Sequence, residues 1–410
     1  MVAAFIANRI AFNQQRSFSR FIIRLSIVAT IISVMVMIVT LAFTNGFQAE
    51  VSRKVFSFLG HIRIQEKQPA KAIIAEEIPL RMNDSLEQTI RQNPAVQQIH
   101  PFSTKYAILK TPEEIEGVLL KGYNRSYDFS HFERFITQGR ALAFNDSTYS
   151  REIMLSEYTA HQLNLHVGDR ILIYFIQPDG KPRPNKLTIA GLYKTGIEEY
   201  DKTFAIGDLE LIQRLNDWDE DEAGGYEIFL KNPSDIDQQV AAIYDMPDFP
   251  ITWDTQSVRD IAPNIFDWLN MQDLTRDVLI IIMVVVALIN LVSCLIILVL
   301  ERVRMIGILK AVGARDWTVQ LIFLRHSLLI TLTGIVLGTL LALGLLWLQQ
   351  ETGFIRLQEE AYYLSEAAVM IRWWEILLIA GGTLLVSLLV LLIPTWLVKK
   401  VEPVKAIRFN

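Results

Sequence analysis

The chain has 410 residues, 51% of them hydrophobic, with a mean hydropathy of +0.28 and a formal net charge of −5. That average is too apolar for an ordinary soluble enzyme, yet a long middle section is normally charged, which points to a membrane protein with a large soluble domain. A single cysteine, Cys294, excludes a disulfide framework within the chain.

The pattern in chain order begins with residues 1–20, where Val2, Phe5, Ile6 and Ile10 fall on one helical face. This segment reads either as a basic amphipathic helix in the membrane interface or as an ordinary positive flank. Spans are expected at 21–43, 278–300, 327–348 and 376–398. They are built on the runs Leu25 to Phe43, Val278 to Leu300, Ser327 to Leu348 and Ile376 to Val398, which lack Asp, Glu, Lys and Arg. At ~1.5 Å per residue each roughly covers the ~30 Å hydrocarbon core. The first run is too long for a signal-peptide core and no small-residue cleavage site follows it, so it is expected to be retained.

Lys and Arg set the expected orientation. Residues 1–24, 301–326 and 399–410 together carry thirteen basic against three acidic side chains, and the remainder carries 26 against 41. Both termini, the 301–326 segment and the 399–410 tail are therefore predicted to be cytosolic. The 44–277 domain and the 349–375 loop are predicted to lie outside.

Residues 44–59 keep helical spacing through Phe47, Val51, Val55 and Phe58, so the first membrane helix is expected to run on outward and end near a strand at His61 to Ile64. Alternation then predicts strands at Lys105 to Leu109, Val118 to Gly122, Glu152 to Leu155, Arg170 to Phe175, Leu187 to Leu192, Thr203 to Ile206 and Tyr226 to Leu230. Helices are predicted at Ser85 to Gln92, Ser156 to Leu165, Asp208 to Leu215 and Asp235 to Tyr244. The result is a mixed α+β domain inserted between the first two of four membrane helices.

Within it, Gln177 to Lys186 reads as a hairpin loop. Pro178, Asp179 and Gly180 form a turn, and Lys181, Pro182, Arg183 and Pro184 are expected to ladder poorly and project. It is either a docking loop or a plain surface turn. The acidic run Asn216 to Glu222 has the spacing of a calcium loop but puts Glu222 where glycine is needed, and reads as solvated. Phe266, Trp268, Leu269 and Met271 precede the second span and fit an interfacial belt or an apolar cleft. With Phe43 and Phe47 from the first helix, Phe266, Leu269 and Met271 are candidates for a lipid-binding cleft.

In the spans, Gly334 and Gly338 form a GxxxG motif, Gly381 and Gly382 offer a second small-residue site, and Asn290 and Ser293 can hydrogen-bond across helices. Catalytic signatures are missing from the sequence: there is no phosphate-binding loop, no H-E-x-x-H and no G-x-S-x-G. His161 and His166 are five apart, which splits them on a helix. Neither a metal site, a catalytic residue nor a nucleic-acid surface is expected.

The segment ERVRMIGILKAVGARDW, Glu301 to Trp317, resembles the cytosolic turn of the FtsX/MacB/LolC-type permeases. The tail from Pro394 to Phe409 is similar to their C-terminal signature. Asn45-Gly46-Phe47 and Leu59-Gly60-His61-Ile62 resemble the lipoprotein-releasing LolC/LolE branch. The resemblance implies a mechanotransmission ABC permease with a MacB-like periplasmic core in a bacterial inner membrane. It implies that ATP and Mg are bound by a separate LolD-like ATPase dimer and not by this chain. It further implies a second permease subunit, identical or paralogous, lipoprotein cargo, and a periplasmic LolA-like carrier that docks on a loop similar in place to 177–186. An FtsX-like regulator of cell-wall hydrolases and a MacB-like exporter component are the alternatives.

In the cytosolic turn, Met305, Ile306, Leu309 and Val312 are expected to present one apolar face to the ATPase, rimmed by Arg302, Arg304 and Lys310. Gly313 is expected to end the helix in a left-handed conformation, with Asp316 capping the next one.

Overall fold

A computed structural model describes residues 18–67, 77–144, 149–176 and 182–399. The amphipathic segment before Phe18, Pro178 to Lys181 of the hairpin loop, and the tail beyond Lys399 lie outside the described residues. The chain divides into two compact units. One takes the chain up to Ala49, Trp268–Arg356 and the chain from Glu366 onward. The other takes Glu50–Asp267 and Leu357–Ser365.

The first unit is helical. Helix α1 spans Phe18–Leu59, α8 Pro263–Glu301, α10 Asp316–Thr352 and α12 Trp373–Lys399, with the short α9, Val303–Ala311, between α8 and α10. Long apolar runs adopt helices because in hydrocarbon every backbone polar group must be satisfied within its own segment. The four helices have 42, 39, 37 and 27 residues, all longer than the expected apolar runs.

The expected small-residue packing is present in α10 and not in α12. A β-carbon at Gly334 would stand 2.6 Å from Thr30 Cγ2, and one at Gly338 would stand 2.8 Å from the Ile31 carbonyl oxygen. Those glycines let α1 and α10 approach closely. Gly381 and Gly382 face open space. Ser26 Oγ donates to Asn290 Oδ1 at 2.7 Å, joining α1 to α8. Near the far end of this unit, the Ala42 carbonyl accepts from the Met370 amide at 3.0 Å, and Asn45 Nδ2 donates to Glu375 Oε2 at 2.6 Å. A β-carbon at Gly46 would overlap the Ala368 carbonyl. The Asn45-Gly46 pair is therefore where the chain after α10 lies against α1.

The second unit is built on a closed ring of six strands. Its order is β3 (Val96–Lys110), β4 (Ile115–Tyr123), β9 (Phe204–Asp208), β6 (Glu152–Ser156), β8 (Pro182–Tyr193) and β7 (Arg170–Ile176), which returns to β3. The β4–β9 and β6–β8 pairs are parallel and the rest antiparallel. Inward positions alternate along each strand, and Leu109, Leu120, Ile153, Leu155, Ile173, Phe175 and Ile189 fill the interior. Helices α3 (Glu157–Gln162) and α5 (Leu209–Asn216) adjoin this core, to which Leu211, Ile212 and Leu215 of α5 and Ala160 of α3 contribute. The first half of β3 carries a flat extension, β11 (Gly225–Leu230), then β1 (Ile62–Glu66), then β12 (Trp253–Ser257).

Helix α1 enters this extension through a tight exit. Gly60 has φ +71°, a conformation that costs glycine nothing, and its amide donates to the Phe56 carbonyl at 2.9 Å. The His61 amide then donates to the Ile228 carbonyl at 2.8 Å and the chain becomes β1. Lys121 of β4 reaches this exit. It is fully buried, and its Nζ donates to the Phe58 carbonyl at 2.6 Å and to Glu227 Oε1 at 2.6 Å. Arg63 also donates to Glu227, at 2.7 Å from Nη2. The rings of Phe58, Phe102 and Tyr123 surround the ammonium at 5.0 to 5.4 Å.

Burial lowers the Lys121 pKa to about 8, with Glu227 opposing the shift. Burial alone would raise Glu227, but the two cations hold its carboxyl below the ordinary value. The asymmetry is physical: Glu227 has two cationic partners and a hydrogen bond from the Tyr123 hydroxyl, whereas Lys121 shares that carboxylate with Arg63 and is repelled by it. Removing one member of such a group strands the others without solvent. Lys121→Met is expected to destabilise this unit by about 3–5 kcal/mol. Adding Glu227→Leu should recover no more than part of that loss, because Arg63 is then stranded. Chemical denaturation of the full chain in detergent, followed by the fluorescence of Trp218 and Trp253, measures both.

Candidate coupling and docking sites

The turn between α8 and α10 is closed by its own backbone. The Ala314 amide donates to the Leu309 carbonyl at 2.9 Å and the Gly313 amide to the Lys310 carbonyl at 3.0 Å, with Gly313 at φ +95°. This pair of bonds is the Schellman arrangement, so Gly313 stops the helix as expected. Arg315, not Asp316, occupies the N-cap of α10 and makes no side-chain cap bond. Asp316 is the first helical residue, where its charge suits the helix dipole, and it pairs with Lys310 Nζ at 2.9 Å. Lys310 is thereby folded against the turn and is not at an outer rim.

The apolar face of α9 is divided differently from the sequence expectation. Ile306 is 0% exposed and packs in a core with Leu295, Leu298, Val299, Val319 and Phe323. Met305 and Leu309 are half-buried against the same core. The outward apolar side chains are Val312, 84% exposed, with Ile308 and Trp317. Arg304 and Arg315 are exposed on the same segment. The physical reason is that α9 is apolar on most of its circumference. One side must seal the base of α8 and α10, and only the other is left for a partner.

Four of the residues proposed for a lipid cleft lie in the helical unit, where Phe43, Phe47 and Leu269 are drawn into packing and Met271 is exposed. Phe47 packs edge-on against Trp268 at 5.2 Å, and Phe43 is half-buried beside the membrane-unit core. Leu269 is 4% exposed, and its carbonyl accepts from Gln48 Nε2 at 3.2 Å. In the other unit Phe266 stacks on Phe56 at 5.9 Å. Met271, 60% exposed, is the one that faces outward. It begins an apolar stripe along one face of α8, continued by Leu274, Val278, Ile281, Val285 and Ile289. These follow three- and four-residue steps, a signal present in the sequence but hidden because the whole run is apolar.

Pro182, Arg183 and Pro184 are exposed but do pair, opposite Ile176, Phe175 and Tyr174 of β7. This corrects the expectation that they ladder poorly. The other side of β8 is unpaired until Thr188, so proline's missing N–H faces away from the ladder. The 349–375 loop also proves structural. Its α11 (Glu359–Tyr362) belongs to the α+β unit, where Glu359 pairs with Lys194 at 2.5 Å and Lys54 donates to the Tyr363 carbonyl at 2.7 Å. Its bond to Glu359 raises the Lys194 pKa. Lys194 and Glu359 line a cleft of about 1100 Å³ together with Tyr158, His161 and Asp201. Burial pushes the Asp201 carboxyl up, against hydrogen bonds from Thr195 and Gly196. Among the described residues no group of three or more His, Cys, Asp or Glu side chains is arranged to hold a metal ion.

Two family models cover most of the chain. Residues 25–244 match the MacB-like periplasmic core domain and residues 278–403 match the FtsX-like permease C-terminal domain. The chain is an FtsX/MacB-type permease. It is similar along its whole length to the lipoprotein-releasing system transmembrane protein LolC of Xylella fastidiosa, at 22% identity over 97% of this chain and 96% of that one. It is likewise similar to LolE of Haemophilus influenzae, at 25% identity over 94% of each chain. Among solved structures, the periplasmic region of MacB from Actinobacillus actinomycetemcomitans aligns at 12% identity with a TM-score of 0.33, covering 50% of this chain and 91% of that one.

The permease is thus a non-catalytic, multi-pass transmembrane subunit with an extracytoplasmic domain, and it belongs to an ABC transporter complex with an ATPase. Its turn separates core from contact residues in a testable way. Ile306→Asp buries a charge and should abolish recovery of monodisperse protein. Val312→Asp should leave yield and melting temperature unchanged, and size-exclusion chromatography with thermal unfolding distinguishes the two.

Proposed function

We propose that this permease extracts lipoproteins from the inner membrane of a bacterium and passes them to a soluble periplasmic carrier. The observation that carries this reading is the similarity to lipoprotein-releasing permeases across both units and their connections, and not across either family domain alone. The α8 stripe is consistent with it: lipid-linked cargo already in the bilayer needs an apolar lateral surface, and Met271 supplies an adaptable one. A LolD-like ATPase dimer engages Ile308, Val312 and Trp317, and a second permease, identical or paralogous, completes the complex. Both termini lie in the cytosol, in keeping with the basic flanks.

The deciding experiment reconstitutes the permease with its ATPase in proteoliposomes holding a triacylated lipoprotein. ATP-dependent transfer to a soluble LolA-like carrier is expected, and its absence with an active ATPase would remove lipoprotein release as the function. In the same assay Val312→Asp combined with Ile308→Asp should lower release by about tenfold or more, since a charge facing an apolar groove costs several kcal/mol. Full release by this variant would place the ATPase contact elsewhere. Photocrosslinkers at Met271 and Ile281 should capture lipoprotein without ATP and lose it with ATP.

A further inference from the structure

Three imidazoles surround one phenyl ring beside the exit of α1. His61 follows Gly60, His100 lies in β3, and His131 ends a short 3-10 turn, Phe129–His131. Their ring centroids stand 6.2, 6.4 and 5.3 Å from that of Phe229 in β11, and His131 lies parallel to it within 2°. Tyr127 closes the group, 5.1 Å from His100 and 6.5 Å from Phe229. Two polar atoms here, His100 Nδ1 and His131 Nε2, are buried without a hydrogen-bond partner among the described residues.

His61 is the member that holds α1. Its ring stacks on Phe56 in the last turns of α1 at 4.3 Å, and its Nδ1 accepts from the Leu230 amide at 3.2 Å. That nitrogen must be unprotonated, because an amide N–H can only donate. A proton at Nδ1 would set donor against donor and place a charge among aromatic rings.

Among the described residues, the charged groups around the cluster offer His61 no compensating carboxylate. Glu227 is committed to Lys121 and Arg63. Asp128 and Glu227 draw the His100 pKa up, while Arg91 on the helix Asp84–Gln92 and the neighbouring His131 push it down. Burial is the largest influence on both rings, and it lowers His61 and His100 to about 4.

We propose that His61, His100 and His131 form an acid-operated release at the junction of α1 with β11. The sign follows from the depressed values. Unfolded imidazole titrates near 6.5, so neutral His61 and His100 contribute their full stability above that pH and lose it as the pH falls toward about 4. The local bond that fails first is Leu230 to His61, which frees the last turn of α1 before the six-stranded ring is affected. The ring interior holds none of these histidines.

The test uses the full chain in lipid nanodiscs, with Cys294→Ser and spin labels on Arg53→Cys and Lys231→Cys. Arg53 lies on an exposed side of α1, and Lys231 follows Leu230 at the surface. At pH about 7.5 a single distance is expected. At pH about 4.5 a second, longer population should appear with the circular dichroism unchanged, and it should vanish on return to the higher pH. No second population, or one that appears only with loss of the circular dichroism signal, overturns the proposal. His100→Phe keeps the ring but removes one titrating group, and should move the transition to lower pH. Should that variant fail to fold, His100→Leu removes the same titrating group and should move it in the same direction. A midpoint unchanged by the folded variant would assign the acid response to carboxylates and overturn the proposal.

Discussion

The α+β unit depends on how a helix end is finished. The last carbonyls of any helix lack partners, and burying them bare costs about as much as a lost hydrogen bond for each. At Phe58 the partner is a lysine from the middle of a strand more than sixty positions later. Lys121 in turn requires Glu227, and Glu227 requires Arg63. One unsatisfied oxygen thus determines three side chains on β1, β4 and β11. The aromatic rings around them exclude water, which strengthens the attraction and makes it intolerant of an absent member.

The same economy governs the membrane unit. Its helices have no hydrophobic drive to associate in lipid, so contact relies on small residues and a few polar bonds. Gly334 and Gly338 against Thr30 and Ile31, and Ser26 with Asn290, supply both between α1 and its neighbours. The turn at α9 works by sealing one side of a helix and leaving the other available. Ile306 belongs to the sealed side and Val312 to the exposed one.

Much of this was legible from residue patterns. The inward positions of the ring strands carry apolar residues at every second place, and a helix stop such as Gly313 announces itself because few residues accept its backbone angles. What was hidden has physical causes. The strand Trp253–Ser257 points Thr255 and Ser257 inward, so its alternation is not one of hydrophobicity. Lys121 sits in a strand where a lysine ordinarily signals solvent, and its partner is 106 positions away. Pattern reading assumes that charge is outside, and fails where charge is matched inside. The division of α9 into a covered and an open side was hidden because period alone cannot tell which apolar side a neighbour already covers. The α8 stripe was invisible because a uniformly apolar run has no contrast.

The loop between α10 and α12 changes what counts as the extracytoplasmic domain. Leu357–Ser365 is separated in sequence by about ninety residues from the rest of that unit, yet carries Glu359 to Lys194 and the Tyr363 carbonyl to Lys54. A soluble fragment cut at Glu50 and Asp267 would therefore be an incomplete object. Its surface would show two lysines stripped of these acceptors and a cleft missing one wall. Binding measured on such a fragment would report partly on a face that the intact chain keeps covered.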